Sequence, residues 1–381
     1  MRVFLIFLAG LVLRILFIFC FPQPGVVSDA SGYDMIGLSI AQGNGFCMDG
    51  ILTARREPIY PLFLAFVYFV FGHSYLAVRI LQAIIGALTC IFVYLIGKRI
   101  FGKNCGVLAS LFCALYPHLI TTTGFVLTET LFTFLLSVSI YFLLKGLEKR
   151  KFLILAGIFF GLSTLTRSVT LLFPFFLLVC FLILKKKGAI LDFCIISIFM
   201  TATIIPWTIR NYIRFHTLIP VAIGGGYVLW PGTYIPWDGD WKYYDLSDMN
   251  KLTEGLSEIE ADKRLTKQGL KNIRENPFGY IKLCIKKGYR LWFWIPGGKE
   301  VLKPYPKIKI GLAIFQYLVI FFALLGIIFG LEKLREYLPI LTIILYFTVI
   351  HSLLLAIPRY NLPIFPYLFL FCANAIIRIK R

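Results

Sequence analysis

Residues 26–72 read VVSDASGYDMIGLSIAQGNGFCMDGILTARREPIYPLFLAFVYFVFG, and they follow directly on an unbroken apolar segment at 3–21. The stretch holds four carboxylates, Asp29, Asp34, Asp49 and Glu57, and an adjacent basic pair, Arg55 and Arg56. What flanks it is apolar and of helix length. An acidic group and a basic pair at the mouth of an apolar bundle mark a place for chemistry.

Outward from this stretch, the chain has 381 residues, 59% hydrophobic and 15% charged. A soluble chain of this length cannot hide that much apolar surface, so lipid is the expected solvent. The net charge of +20 would point to nucleic acid in a soluble protein. Here most Lys/Arg clusters sit between apolar segments, which points to membrane topology and anionic lipid, and excludes nucleic acid as a partner. The nine cysteines lie mostly inside apolar segments, with no CxxC and no zinc spacing, so neither a disulfide framework nor a zinc site is expected. After residue 21 the chain reads FPQPGVV, without a small-residue cleavage pattern, so 3–21 is read as an uncleaved anchor.

The expected fold class is all-α. It is a polytopic membrane protein of about ten transmembrane helices, at 3–21, 76–97, 104–122, 126–144, 151–166, 169–184, 189–207, 310–330, 337–356 and 361–377, with interfacial helices on the outer face. Segment 58–71 is strongly apolar but short for a span, and is read as interfacial or re-entrant. With it left out, Lys98, Arg99, Lys103, Lys145, Lys149, Arg150 and Lys185 to Lys187 fall on one side, against Arg55, Arg56, Arg167 and Arg359 on the other. Cytoplasmic loops carry the excess. Both termini are therefore expected in the cytoplasm, and 22–75 outside. The domains are then a transmembrane module at 1–206 with its catalytic outer loop 22–75, a long outer loop at 207–309, and C-terminal transmembrane helices at 310–381. Within the long loop, Lys282, Lys286, Lys287 and Arg290 fall near helical spacing, with Trp292 and Trp294 close by, as in a helix lying on an anionic membrane surface.

Each candidate residue has a chemical and a structural reading. Asp29 sits just outside the first span and can deprotonate a hydroxyl, or it can cap the helix starting at SDASGYD. Asp34 fits a capping box with Ser31, with Tyr33, Ile36 and Ile40 on one face and Gly43 ending the helix. Arg55, Arg56 and Glu57 precede Pro58, which suits the first turn of a helix. The two arginines can bind a phosphate or anchor to headgroups. Glu129 lies near the outer end of a span, where ionisable groups face the bundle interior, with Thr128 as an alternative cap. His118 is a ligand, a proton carrier or a packing residue. Arg14 and Arg79 lie within spans, where each pairs with a carboxylate or snorkels. Trp207, Arg210, Asn211 and Arg214, and later Arg359 and Tyr360 in PRYNLPIFP, add cations on the Asp29 side or anchor the chain at the interface. No Gly-rich phosphate loop, HExxH or GxSxG is present, so a soluble nucleotide-sugar or ATP site is not supported.

The order of these motifs is itself informative. A first span is followed by SDASGYDMIGLSIAQGNGF, ARREPIYPLFLAF, RILQ, KRIFG, YPHLITTTGFVLTETLF, PWTIRNYIRF and PRYNLPIFP. This resembles the GT-C superfamily of integral-membrane glycosyltransferases, within it the bacterial branch related to protein O-mannosyltransferases and lipid A aminoarabinose transferases. The resemblance implies a catalytic Asp at Asp29 and a polyprenyl-phosphate-linked sugar as donor. It further implies inversion at the anomeric carbon and an acceptor hydroxyl on a lipid, glycan or protein. Arg55, Arg56, Arg210 and Arg359 are then the expected donor-phosphate ligands. Tyr33, Asp34, Glu57, Tyr60, His118, Glu129, Asn211 and Tyr360 are the expected substrate contacts. Two positions depart from the family. Many relatives have Asp-Glu where this chain has Asp29-Ala30, and the aminoarabinose transferases have Glu-Lys-Pro where it has Arg56-Glu57-Pro58. No cofactor is required by these motifs, and a divalent metal is left open. The expected location is the inner (plasma) membrane, multi-pass, with the active site on the outer or periplasmic side. The alternatives are a transporter or flippase, or a polymerase or ligase, of lipid-linked saccharides. Transporters commonly show repeated halves and midplane charges, and no repeat is visible here.

Overall fold

The structure, a computed structural model, describes residues 2–23, 25–241, 246–296 and 305–380. It is almost wholly helical, with one two-stranded hairpin, Cys47–Met48 against Ile51–Leu52. The chain divides into two compact units. One comprises Met1–Val221, Val319–Ile344 and Leu362–Arg381, the other Ala222–Leu318 and Leu345–Asn361.

Seven described helices are long and apolar enough to cross a membrane: Arg2–Cys20, Tyr75–Phe101, Glu129–Gly146, Ala189–Phe215, Pro306–Phe329, Leu331–Leu353 and Pro358–Ile379. An eighth span arises if Lys103–Leu115 and Pro117–Gly124, bent by 58°, count as one. The chain is thus a multi-pass membrane protein. Of the ten spans expected, those at 151–166 and 169–184 fall on the shorter apolar helices Lys151–Thr164 and Ser168–Ile183. Segment 58–71 forms the short helix Ile59–Phe71.

Packing in the first unit follows membrane rules, in which small residues let helices approach closely. In the helix Lys151–Thr164, Gly157 and Gly161 lie four residues apart against Ala189–Phe215. A Cβ on Gly157 would stand 2.7 Å from the Ile196 carbonyl oxygen. Arg14, buried within the first helix, neither pairs with a carboxylate nor snorkels. Its guanidinium donates to the carbonyls of Gly10 (2.9 Å), Ala114 (3.4 Å) and Cys113 (3.5 Å). Such capture by backbone carbonyls inside protein is how a cation is tolerated at membrane depth. Arg79 likewise donates to the Gly124 carbonyl at 2.9 Å. Asp192, fully buried, accepts from Arg150 at 2.7 Å and from Lys186.

In the second unit, Gly225–Thr233 packs on the amphipathic helix Glu258–Glu275, which starts with a capping box between Ser257 and Glu260. Trp230, Trp237, Met249 and Leu265 form the core, with the Tyr234 ring stacked on Trp230 at 4.7 Å. The helix Pro277–Phe293 corrects the surface reading of its four cations, because Lys287 and Arg290 are buried. Lys287 donates to the carbonyls of Gly232 (2.7 Å), Leu354 (2.9 Å) and Leu353 (3.1 Å), while Arg290 bonds Asp238 at 3.2 Å. Three carbonyls meet the three donors of one ammonium, and a buried acceptor left unpaired is destabilising. Lys287→Met is therefore expected to lower stability by about 3 kcal/mol, read as an earlier thermal unfolding transition in detergent.

Candidate active site

The organising stretch folds as a helix, a hairpin and a second helix. Ser28 adopts φ 56°, a left-handed conformation unusual for a residue with a side chain, and the helix Asp29–Ala41 begins at the next residue. Asp29 thus sits in the first turn, where a carboxylate is favoured by the helix dipole. Gly43, at φ 82°, follows the helix end as the sequence predicts. Gly37 sets the close approach to the helix Ile59–Phe71, for a Cβ there would lie 2.7 Å from the Leu64 Cβ.

The capping box expected of Ser31 and Asp34 does not form. Ser31 bonds the Ser28 carbonyl, and Asp34 turns inward. Its carboxylate accepts from Tyr68 Oη at 2.6 Å and Tyr75 Oη at 2.8 Å, and pairs with His73 Nε2 at 2.8 Å. Burial, and then the bond to Asp34, push the Tyr68 phenol well above its ordinary pKa. Three consecutive elements are thereby tied to the helix that presents Asp29. Tyr68→Phe removes the shortest of these bonds and is expected to lower stability by about 2 kcal/mol, seen as a drop in melting temperature.

Asp29 pairs with Arg56 at 3.0 Å, and its side chain is 36% exposed. The Arg56 guanidinium also stands over the Tyr33 ring at 4.8 Å. Burial opposes the charge on Arg56, but the carboxylates of Asp29, which also accepts its hydrogen bond, and of Glu57 raise its pKa above the ordinary arginine value. Burial raises the Tyr33 phenol, with Glu57 adding to the shift, so this hydroxyl stays protonated and is no base.

Neighbouring side chains complete the setting. Glu57 accepts from the backbone N–H and the hydroxyl of Ser168, both at 2.9 Å. The next residue back, Arg167, pairs with the buried Glu129 at 3.1 Å. Thr128 makes no side-chain cap there. Tyr60 donates to Gln82 at 2.8 Å, and Gln82 in turn bonds the carbonyls of Thr123 and Phe125. Arg55 is exposed, as is Asp49. Arg210 is wrapped by the rings of Trp207, Phe46 and Phe215 and donates to the Thr53 carbonyl at 3.1 Å, so it pins the hairpin region to the helix Ala189–Phe215. Asn211 accepts from Arg210 and donates to the carbonyls of Ile219 and Val221. His118 is buried beside the Tyr116 ring at 5.5 Å. Arg359 and Tyr360 belong to the second unit, where the guanidinium lies 5.9 Å from its neighbour's ring.

Sequence reasoning missed Arg167 and Ser168 as members of this cluster. The available signal was that Arg167 is the one cation between two short apolar segments on the side assigned to Asp29. Asp29 is occupied by Arg56 and Glu57 by Ser168, and no three His, Cys, Asp or Glu side chains cluster among the described residues. What the arrangement offers is a part-exposed carboxylate to take a proton, beside guanidinium groups suited to an oxyanion.

Residues 55–207 match the family described as dolichyl-phosphate-mannose-protein mannosyltransferase. No curated protein sequence matches the chain significantly. Among solved structures, ArnT from Cupriavidus metallidurans bound to undecaprenyl phosphate superposes with TM-score 0.64 at 15% identity, over 99% of this chain and 60% of that one. The archaeal oligosaccharyltransferase AglB from Archaeoglobus fulgidus, in complex with an inhibitory peptide and a dolichol-phosphate, gives TM-score 0.61 at 13% identity, over 99% of this chain and 50% of that one. The chain thus spans about 60% of the length of the first and half of the second. It shares the fold of these two proteins, and through residues 55–207 it matches the dolichyl-phosphate-mannose-protein mannosyltransferase family.

Proposed function

We propose that this protein is an inverting glycosyltransferase that moves a sugar from a polyprenyl-phosphate donor to an acceptor hydroxyl at the outer face of the membrane. The observation that carries the reading is the Asp29–Arg56 pair, a base and a phosphate-binding cation 3.0 Å apart, within a GT-C fold. ArnT bound to undecaprenyl phosphate and AglB bound to a dolichol-phosphate support a lipid-phosphate donor.

In this reaction Asp29 takes the proton of the acceptor hydroxyl. The acceptor oxygen forms a bond to C1 of the sugar as the bond from C1 to the phosphate oxygen breaks on the opposite face. The bonding pair leaves with the polyprenyl phosphate. That leaving group is already a stable anion and needs cationic stabilisation rather than a general acid. Arg56 and Arg167 supply it, with the exposed Arg55 beside them. Glu57, through Ser168, and Glu129, through Arg167, position the two guanidinium groups. Arg210 positions the hairpin region rather than the phosphate. The acceptor is a hydroxyl on a lipid, glycan or protein, and the excess of basic loops on the side opposite Asp29 supports a cytoplasmic position for both termini.

The test is the configuration of the product. Purified protein in nanodiscs, given a panel of polyprenyl-phosphate sugars of known anomeric configuration with alcohol acceptors, is expected to give glycoside of the opposite configuration. Retained configuration would overturn the single displacement. Movement of lipid-linked saccharide across sealed liposomes, with no glycoside formed, would overturn the enzyme.

A further inference from the structure

Among the described residues, the second unit carries an exposed apolar stripe outside the candidate spans. In the helix Pro277–Phe293 the buried side is locked to its own unit by Leu283, Lys287, Arg290 and Leu291. Trp292 Nε1 donates to Thr348 Oγ1 at 3.2 Å, and the Tyr280 hydroxyl donates to the Leu353 carbonyl at 2.7 Å. The opposite side exposes Phe278 (79%), Ile281 (55%), Ile285 (70%) and Tyr289 (57%). Their spacing of three, four and four residues makes one continuous helical face. Lys282 and Lys286 border it, Lys286 also pairing with Asp238 at 2.7 Å, and the helix itself contains no acidic residue.

The preceding helix, Glu258–Glu275, exposes a row of cations. Arg264, Lys267, Lys271 and Arg274 follow one another at spacings of three, four and three residues, with the exposed Leu270 among them. Of the acids on that helix, Glu275 pairs with Lys271 at 3.7 Å and Asp262 accepts from the Gly226 N–H at 2.8 Å.

We propose that the Pro277–Phe293 helix lies in the headgroup region of an anionic leaflet, with Phe278, Ile281, Ile285 and Tyr289 inserted, and that the cation row at 264–274 confers preference for anionic lipid. A stripe one helix wide, with lysines along its edge and a cation row in the adjoining helix, matches the amphipathic elements that lie in the plane of a membrane. The exposed cation row, beside an inserted helix that itself carries no acid, favours a negatively charged surface over a zwitterionic one. The inference is independent of the reaction proposed above.

The experiment uses the full chain in nanodiscs of phosphatidylcholine with or without phosphatidylglycerol. A photo-crosslinking side chain at Ile285 is expected to yield lipid adducts, and the same group at the buried Leu283 is not. Preference for retained phosphatidylglycerol, read by native mass spectrometry, is expected to fall about fivefold for each cation lost in Lys267→Gln and Lys271→Gln. Adducts to a protein instead of lipid, or none at Ile285, would overturn the proposal. So would lipid adducts with an unchanged headgroup preference, which would leave an apolar anchor without selectivity. Both lysines are exposed, so an unchanged melting temperature is expected to accompany the loss.

Discussion

Replacing Asp29 by Asn is expected to lower turnover by about 10²–10⁴-fold, while donor binding stays largely intact. The amide has the shape of the carboxylate and keeps an oxygen to accept from Arg56, now 3.0 Å from Asp29. It cannot take the acceptor's proton. Two neighbouring groups are committed elsewhere. The Tyr33 phenol is held protonated by burial, and Glu57 is engaged by Ser168. The effect should therefore fall on the rate and leave the affinity for the lipid donor near that of the wild type. Donor binding measured directly, by ligand-induced thermal shift, separates this from misfolding.

Removing the Arg56 guanidinium is the second large effect. Arg56→Ala is expected to reduce kcat by about 10²–10³-fold, the range seen when one preorganised electrostatic contact to a developing charge is lost. Arg56→Lys restores a charge but not the planar fork that spans an oxyanion, so it should recover part of the rate. Donor affinity should fall in the Ala variant, unlike in Asp29→Asn. The contrast between the two variants distinguishes a phosphate ligand from a residue that only orients Asp29. An Arg56→Ala enzyme with unchanged donor affinity would assign Arg56 to the second role.

Much of the fold was legible in the sequence, for identifiable physical reasons. Lipid-length apolar runs report an apolar solvent directly, and the short apolar segment 58–71 forms a correspondingly short helix, Ile59–Phe71, as do the segments at 151–166 and 169–184 that length alone made into spans. Gly43 ended its helix because only a residue free to take positive φ fits there. What failed depended on partners far away in the chain. Asp34 looked like a cap because Ser31 is local, whereas Tyr68, His73 and Tyr75 arrive from 34 to 41 residues on. Arg167 meets Glu129 across 38 residues, and Glu57 meets Ser168 across 111. Lys287 and Arg290 shared the spacing of Lys282 and Lys286, but helical periodicity alone did not tell which side of the stripe would face the protein.

The most direct measurement is release of free polyprenyl phosphate from radiolabelled donors by purified protein in nanodiscs, with wild type and Asp29→Asn in parallel at matched donor occupancy. The mechanism proposed here predicts release by the wild type, and release lower by orders of magnitude in the variant. Equal release by the two proteins would contradict it, because the base would then lie elsewhere.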